Sequence, residues 1–266
     1  VVEHLRRSGL DAEPENDGDE TEYEVTVPPY RTDVMHPLDV VDDIGRSYGF
    51  NDLEPRYPDV STVGSLTRST RLENAVRKQL VGLGFQDLLN FVLTSPEANY
   101  DAVRLDEEEG DDPIRITNPY SEEYSMMRTW LIPSLVTVLS NNTHREYPQH
   151  LAEIGLCASR TDEGTESGSG VTGVKEETHV AAVLCGSDAG YEDAKSRLSS
   201  LVADFDVSLE TPATEHPSFI DGRVADVVID GDDVGVIGEI HPEVLAKNEI
   251  TLPVAGFEFE MTSLEG

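Results

Sequence analysis

Four aspartates near the amino end have a spacing that could hold a metal ion. Asp39, Asp42 and Asp43 fall within a predicted helix at positions i, i+3 and i+4, so their carboxylates share one face. Asp33 lies in the preceding loop, from which it can fold back over the start of that helix. Neighbouring carboxylates repel one another unless a cation neutralises them, and an all-oxygen ligand set suits Mg²⁺ or Ca²⁺ rather than zinc. The pattern is therefore a candidate site for a hard divalent cation.

The same aspartates also have an ordinary structural interpretation. Asp39 lies in the first turn of the predicted helix, where capping and the helix dipole favour an acidic residue. Asp42 and Asp43 both lie within i+3 or i+4 reach of Arg46, which predicts a surface ion pair. The pattern of a calcium-binding EF-hand loop is absent. Spacing alone leaves both interpretations open.

The other reactive residues predict no catalytic or cofactor-binding site. Cys157 and Cys185 lie in apolar stretches outside any paired motif, and neither has a nearby histidine and acid in the sequence, so we predict reduced core residues. The segment 235–238 has glycines at both ends but lies inside a strand pattern, which favours a bulge or tight packing. No ligand spacing relates the histidines His150, His216 and His241.

One predicted helix carries the densest group of basic residues, which are Arg68, Arg71, Arg77 and Lys78. Such a group can contact RNA, but in this acidic chain ion pairing with neighbouring acids is favoured.

The composition is strongly acidic. The 266 residues include 53 acidic and 19 basic side chains, which gives a formal net charge of −34. The acids are spread along the chain, which excludes an acidic tail, and apolar periodicity persists between them, which argues against disorder. We predict a haloadapted cytoplasmic protein, in which salt screens the repulsion between acidic surface groups. This charge argues against nonspecific nucleic-acid binding in dilute salt. No apolar run approaches the ~18 residues of a membrane helix, and residues 1–7 do not resemble a secretory signal.

Apolar periodicity, together with proline and glycine, predicts the elements that position these residues. In the first part these are the end of a helix over 1–10, an acidic loop over 11–20, a strand over 22–27 and a helix over 37–48. After a linker over 51–67 come helices over 68–83, 133–144 and 191–205, strands over 88–93, 114–116, 151–158, 180–184, 224–229, 234–240 and 254–259, and a surface excursion over 161–178. Strands and helices do not alternate strictly, which favours an α+β fold with an antiparallel sheet.

Several segments, taken in order, resemble the phenylalanyl-tRNA synthetase beta subunit of archaeal and eukaryotic type, and the acidity suggests a haloarchaeal member. Residues 27–50, with Arg31-Thr-Asp33 and the acidic helix, resemble the end of the family's B5 domain. The segments that resemble its synthetase-like domain are 81–85, 93–95, 118–121, 127–128, 131–135 with Asn141, 153–155, 222–223, 235–242 and 257–258. The ordered set covers nearly the whole chain.

The resemblance implies a fold and a division into domains. We expect a small B5-type, winged-helix-like domain over residues 1–57, truncated at its amino end. A non-catalytic core over residues 58–266 would follow, resembling a class II aminoacyl-tRNA synthetase, with an antiparallel sheet flanked by helices. The family's editing module and the anticodon-binding module of the bacterial type are expected to be absent from this chain.

The resemblance also implies a role. In this family an α2β2 phenylalanine-tRNA ligase attaches phenylalanine to tRNA(Phe), and the alpha subunit binds ATP and phenylalanine and does the chemistry. The chain would be the non-catalytic beta partner. The family's magnesium site, shared with the alpha subunit, falls on Asp33, Asp39, Asp42 and Asp43. The family often has glutamate at the last two positions, and aspartate keeps the charge but shortens the reach.

Two other functions remain open from the sequence. One is a haloadapted RNA-binding or protein-interaction module with no role in aminoacylation, whose acids only solvate the surface. The other is a stand-alone metal-dependent enzyme, although we expect no ATP turnover by the isolated chain.

Overall fold

The computed structural model describes residues 1–17, 20–58, 64–108, 110–161 and 173–265. The chain divides into two compact units, an amino-terminal unit, Val1–Gly64, and a carboxy-terminal unit, Ser65–Gly266. Each unit has its own cluster of buried apolar side chains. The domain boundary expected after residue 57 stays a prediction.

The amino-terminal unit combines two helices with a hairpin. Its elements are α1 (Val2–Arg7), β1 (Asp11–Asp17), β2 (Glu20–Thr26) and α2 (Pro37–Tyr48), followed by a short 3₁₀ turn (Phe50–Asp52). Leu5, Leu10 and Ala12 form its buried core. The helix α2 has the predicted bounds, because Pro37 fits the first turn and Gly49, at φ +105°, ends it.

The prediction of a loop over residues 11–20 was wrong. Residues 11–17 form β1, which pairs antiparallel with β2 from Asp11↔Thr26 to Asp17↔Glu20. Local composition favoured a loop, but backbone hydrogen bonds to β2 and the burial of Ala12 stabilise a strand. Strand formation here depends on the partner strand rather than on the propensity of the segment itself.

The carboxy-terminal unit is built around one large sheet, and its elements follow in chain order. They are α3 (Arg68–Gly82), β3 (Gln86–Leu88), β4 (Leu93–Thr94), α4 (Pro96–Asn99), β5 (Met126–Met127), α5 (Ile132–Asn141), β6 (Gln149–Arg160), β7 (Val174–Cys185), α6 (Tyr191–Val202), β8 (Leu209–Glu210), β9 (Phe219–Ile229), β10 (Asp232–Ile240), α7 (Pro242–Lys247) and β11 (Val254–Glu260). Short 3₁₀ turns cover Asp101–Val103, Glu122–Tyr124 and Met261–Glu265.

The strands of the large sheet lie in the order β3-β6-β7-β11-β10-β9-β8. All neighbouring pairs are antiparallel except β3 and β6, which are parallel. β4 and β5 form a separate two-stranded sheet. The α+β class with an antiparallel sheet flanked by helices is confirmed.

Three predicted boundaries in this unit were wrong. The strand expected over 88–93 is interrupted, since β3 ends at Leu88 and β4 begins at Leu93. Residues 114–116 form no strand, and within them only Arg115 makes an isolated bridge, to Met126. In the excursion expected over 161–178, residues 162–172 lie outside the described part, but residues 174–178 belong to β7, because the β6 pairing continues to Arg160↔Val174.

The large sheet separates two apolar clusters. Along β7, Val180, Ala182 and Leu184 join the cluster that contains residues of α3 and α6, whereas Ala181, Val183 and Cys185 join the cluster that contains residues of α5 and α7. This alternation follows from the two-residue period of a strand. Helices therefore bury both faces, and polar groups on either face need partners within the protein.

The glycine pair at 235 and 238 confirms the bulge and tight packing that the sequence favoured. The β9–β10 register shifts between Asp233 and Gly235 and again after Gly238. A Cβ at Gly235 would lie 2.0 Å from the carbonyl oxygen of Glu258, so no side chain fits there. In the part of the chain that the structure describes, no helix is long and apolar enough to cross a membrane.

Candidate functional site

Arg31 holds two of the four candidate metal ligands. Its Nε lies 2.9 Å from Oδ1 of Asp33, and its Nη2 lies 2.8 Å from Oδ2. These hydrogen bonds lower the pKa of Asp33 to about 2. The same Nη2 donates to Oδ2 of Asp43 at 2.6 Å, in a largely buried contact. Asp43 therefore pairs with Arg31. The sequence had predicted a pair with Arg46, which lies on the same helix as Asp43.

The other two candidate ligands have the structural roles that the sequence also allowed. Oδ2 of Asp39 accepts hydrogen bonds from the backbone N–H groups of Met35 and His36, at 2.9 and 2.8 Å, and they lower its pKa. The His36 side chain in turn accepts from a backbone N–H in the first turn of α2, which completes a capping box. Asp42 pairs with Arg46 at 2.6 Å. The structural interpretation is therefore confirmed for Asp39 and Asp42, whereas their role as metal ligands stays a prediction.

The four aspartates offer carboxylate oxygens, which are the ligand type that magnesium prefers. Their carboxylates do not, however, surround one common position. Among the described residues, these four do not form a group of three with ligand atoms within 4.8 Å of one another. The hydrogen bond from Met35 to Asp39 and the ion pair of Asp42 with Arg46 each involve Oδ2. Arg31, in contrast, donates hydrogen bonds to both carboxylate oxygens of Asp33. A cation at this place has to compete with Arg31.

A second cluster, which the sequence did not predict, lies on the large sheet. We call Cys157, His179 and Glu258 the Cys–His–Glu cluster. In the β6–β7 ladder His179 faces Gly155, and in the β7–β11 ladder Glu258 faces Ala181, so alternate residues of three strands meet on one face. Nδ1 of His179 lies 2.7 Å from Oε1 of Glu258.

The expectation that no histidine and acid lie near the cysteines was therefore wrong for Cys157. Its partners come from strands that are distant in the chain, and the only sequence signal is the two-residue alternation within each strand.

Hydrogen bonds and burial set the charges of the Cys–His–Glu cluster. Glu258 accepts from the backbone N–H groups of Leu131 and Ile132 at the start of α5, at 2.8 and 2.9 Å. The positive end of that helix dipole stabilises the carboxylate. Burial lowers the pKa of His179, but hydrogen bonds with Cys157 and Glu258 outweigh it and raise the pKa to about 11. Burial raises the pKa of the Cys157 thiol.

A buried ion pair lies beside this cluster. Nη1 of Arg128 is 2.8 Å from Oε1 of Glu153, and these side chains are 1% and 0% exposed. Glu153 also accepts from the backbone N–H and the side-chain Nδ2 of Asn90, and Nε of Arg128 donates to the carbonyl of Leu156. A Cβ at Gly155 would lie 2.1 Å from Nη2 of Arg128, so glycine makes room for the guanidinium.

Two of the four residues in the basic group on α3 form ion pairs, which is the interpretation that the charge pattern favoured. Arg77 contacts Glu73 at 2.7 Å and Asp87 at 2.5 Å, and Arg68 lies 3.7 Å from Glu265.

Two family models match the chain in succession. The tRNA synthetase B5 domain matches residues 1–50, and the phenylalanyl-tRNA synthetase beta chain CLM domain matches residues 53–261. The chain belongs to the phenylalanyl-tRNA synthetase beta chain family. This confirms the resemblance found in its ordered segments.

Relatives in this family share sequence with almost the whole chain. The phenylalanine–tRNA ligase beta subunit of Halorubrum lacusprofundi is 56% identical over 268 residues, which cover 99% of this chain and 45% of the relative. That of Pyrococcus abyssi is 41% identical over 237 residues, covering 89% of the chain and 41% of the relative. The chain thus spans less than half the length of these phenylalanyl-tRNA synthetase beta subunits.

A solved structure supports the synthetase-like fold predicted for this family member. The pyrrolysyl tRNA synthetase of Desulfitobacterium hafniense matches with a TM-score of 0.56 at 16% identity, over 74% of this chain and 68% of that chain. At this identity the likeness establishes the fold alone, and it confirms the synthetase-like architecture expected from the sequence.

Proposed function

We propose that the chain is the non-catalytic core of the beta subunit of a phenylalanine–tRNA ligase. It would support the ATP-dependent attachment of phenylalanine to tRNA(Phe) by an alpha subunit, which binds the ATP, in an α2β2 complex in the cytoplasm. The observation that carries the proposal is the family match over residues 53–261, the greater part of the carboxy-terminal unit. The buried polar groups of the sheet bond to one another and to the backbone, which suits a scaffold rather than a catalyst.

An exposed apolar surface on the carboxy-terminal unit suits a protein partner. Leu89, Phe91, Leu93, Ile116 and Tyr124, which we call the apolar ridge, all expose more than a third of their surface. Phe91 and Tyr124 are in edge-to-face contact, with ring centroids 5.9 Å apart. Leu93 lies in β4, and the backbone N–H of Ile116 bonds to the residue after Tyr124. Grouped apolar side chains on an acidic protein favour association. Because the relatives are named beta subunits, we assign the ridge to the alpha subunit.

Replacing Phe91 with Asp is expected to weaken binding of the alpha subunit by about 30-fold or more, because we place Phe91 at the centre of the interface, where a hot-spot side chain contributes ~2 kcal/mol or more. The measurement is the dissociation constant of the full-length alpha and beta subunits in molar salt, followed by phenylalanine charging of tRNA.

Leu66→Asp is the matched control, since it adds the same charge at another exposed apolar residue of this unit, outside the ridge. Equal binding by the Phe91 variant, the Leu66 variant and the unmodified protein would contradict the ridge assignment. Full-rate charging by the alpha subunit alone would contradict the proposed function itself.

The proposed cofactor is Mg²⁺, held by Asp33, Asp39, Asp42 and Asp43 together with the partner subunit. All four carboxylates belong to one small region of the amino-terminal unit, and the side chains of Asp33 and Asp42 are 66% and 48% exposed. Exposed carboxylates such as these can be shared with a partner chain. When bound, the cation neutralises these charges and fixes the segment before α2. The competing ion pair with Arg31 predicts weak binding to the isolated chain.

The double variant Asp33→Asn, Asp39→Asn is expected to lose magnesium-dependent assembly with the alpha subunit. Asparagine keeps the shape and hydrogen-bonding oxygen but removes the charge that binds a hard cation. Assembly is measured by sedimentation with and without Mg²⁺, and helix content by circular dichroism. Asp11→Asn, an exposed aspartate outside the set, serves as the control. Unchanged assembly would favour the alternative function, a haloadapted RNA-binding or interaction module.

A further inference from the structure

The Cys–His–Glu cluster combines three kinds of metal ligand in one buried place. Its thiol sulfur, an imidazole nitrogen and a carboxylate oxygen all lie within 4.8 Å of one another. Cys157 is 2% exposed, and the side chains of His179 and Glu258 are 17% and 5% exposed. Among the described residues, no other three histidine, cysteine or acidic side chains meet this condition.

The distances are close to those of a tetrahedral metal site. Zinc binds sulfur at about 2.3 Å and nitrogen or oxygen at about 2.0–2.2 Å, which places ligand atoms roughly 3.3–3.8 Å apart. The 2.7 Å between Nδ1 of His179 and Oε1 of Glu258 would have to lengthen, and the Cys157 sulfur already lies within 4.8 Å of both atoms. A thiolate and an imidazole select zinc or a similar transition metal over magnesium or calcium.

The surroundings carry an excess of negative charge. Glu177 faces Cys157 directly across the β6–β7 ladder, and Glu260 faces His179 across the β7–β11 ladder. Lys175 pairs with Glu177 at 2.7 Å. Burial raises the pKa of Glu177, and Glu260 adds to the effect, as expected where carboxylates crowd together away from water. This excess of negative charge attracts cations towards the cluster.

One ligand is already fixed in position. The N–H groups of Leu131 and Ile132 hold Glu258 at the start of α5, and Oε1 of the same carboxylate meets Nδ1 of His179. A metal ion would take the place of the proton that these two groups share, and the Cys157 thiol would lose its own proton to the solvent. The helix start therefore prepares the carboxylate for binding.

We propose that Cys157, His179 and Glu258 form a binding site for a thiophilic divalent cation, with Zn²⁺ as the ion that this donor set fits best. The site is separate from the aspartates at Asp33 to Asp43 and differs from them in metal preference. It does not depend on the proposed function.

The test is a Co²⁺ titration of the full-length protein after metal removal by a chelator, since Co²⁺ reports its ligands in its absorption spectrum. We expect one equivalent of Co²⁺ per chain to bind at the cluster and to produce a thiolate-to-metal charge-transfer band. Cys157→Ser should abolish the band and weaken binding at this site by about 100-fold or more, because even the loss of a residue that only supports a ligand costs roughly 10–100-fold in metal affinity. Cys185→Ser is the matched control, because Cys185 is also buried and free but is not part of the cluster.

A measurement on the unmodified protein covers the case in which the Cys157 variant fails to fold. The zinc X-ray absorption spectrum should show one sulfur at about 2.3 Å together with nitrogen and oxygen ligands. The charge-transfer band surviving in a folded Cys157→Ser protein, a zinc shell without sulfur, or no bound metal at all would each overturn the proposal.

Discussion

Replacing Glu153 with Gln is expected to lower the free energy of unfolding by roughly 3–5 kcal/mol, because it leaves the Arg128 guanidinium buried without a counter-charge. The two side chains are almost completely inaccessible to solvent, and Nη1 of Arg128 has no other partner in the described structure. Gln keeps the size of the side chain and can still contact Asn90, so the change isolates the loss of charge. Urea unfolding, followed by circular dichroism in molar salt, measures the effect.

The double variant Glu153→Gln, Arg128→Met provides the decisive comparison. Removing both charges avoids an unpaired buried ion, so the double variant should be more stable than the single Glu153 variant. The control is Arg7→Met, which breaks an exposed pair with Glu3 and should change stability by less than about 1 kcal/mol. Additive losses in the double variant would contradict the assignment of an essential buried ion pair.

The same network explains the requirement for glycine at 155. Because a Cβ there would overlap Nη2 of Arg128 and approach Glu153, alanine should force the guanidinium out of place. Gly155→Ala should therefore resemble the Glu153 single variant in its loss of stability.

The free energy of unfolding is expected to rise by on the order of 5 kcal/mol between about 0.1 M and about 2 M KCl, as the screening length falls from ~10 Å to below 3 Å. The physical reason is the repulsion within a chain of net charge −34. The gain is comparable with the total stability of a typical domain, so folding in dilute salt should be marginal. Urea unfolding at a series of KCl concentrations measures it, since urea itself is uncharged.

The β1–β2 hairpin offers a local test of this repulsion. Glu13 lies directly opposite Glu24, and Glu15 directly opposite Glu22, so four exposed glutamates share one face. Like charges at such positions destabilise a strand pair. Glu13→Gln, Glu15→Gln should raise stability in low salt and flatten its salt dependence. A stability that does not change with KCl in either protein would contradict the prediction of haloadaptation.

Local patterns determined much of this protein from the sequence alone. Pro37 and Gly49 mark the ends of α2 because proline fits the first turn and glycine tolerates the backbone angle that ends a helix. Alternating apolar residues predicted the strands β9 to β11, and glycine spacing predicted the bulge in β10. The ordered segments identified the family. Each of these signals is read from short stretches of residues and from their order along the chain.

Only the tertiary structure decided which charged groups are partners. The sequence predicted an ion pair between Asp43 and Arg46. In the fold, Arg31 from the preceding loop forms the ion pair with Asp43 instead. Strand pairing likewise brings His179 to Glu258, which is 79 residues away in the chain. The acidic segment 11–17 forms the strand β1 because it pairs with β2. Hydrogen bonds and ion pairs form between groups that are close in space, and the register of a sheet sets that closeness. A sequence pattern specifies which face of a strand a residue occupies, whereas the neighbouring strand determines what it meets there.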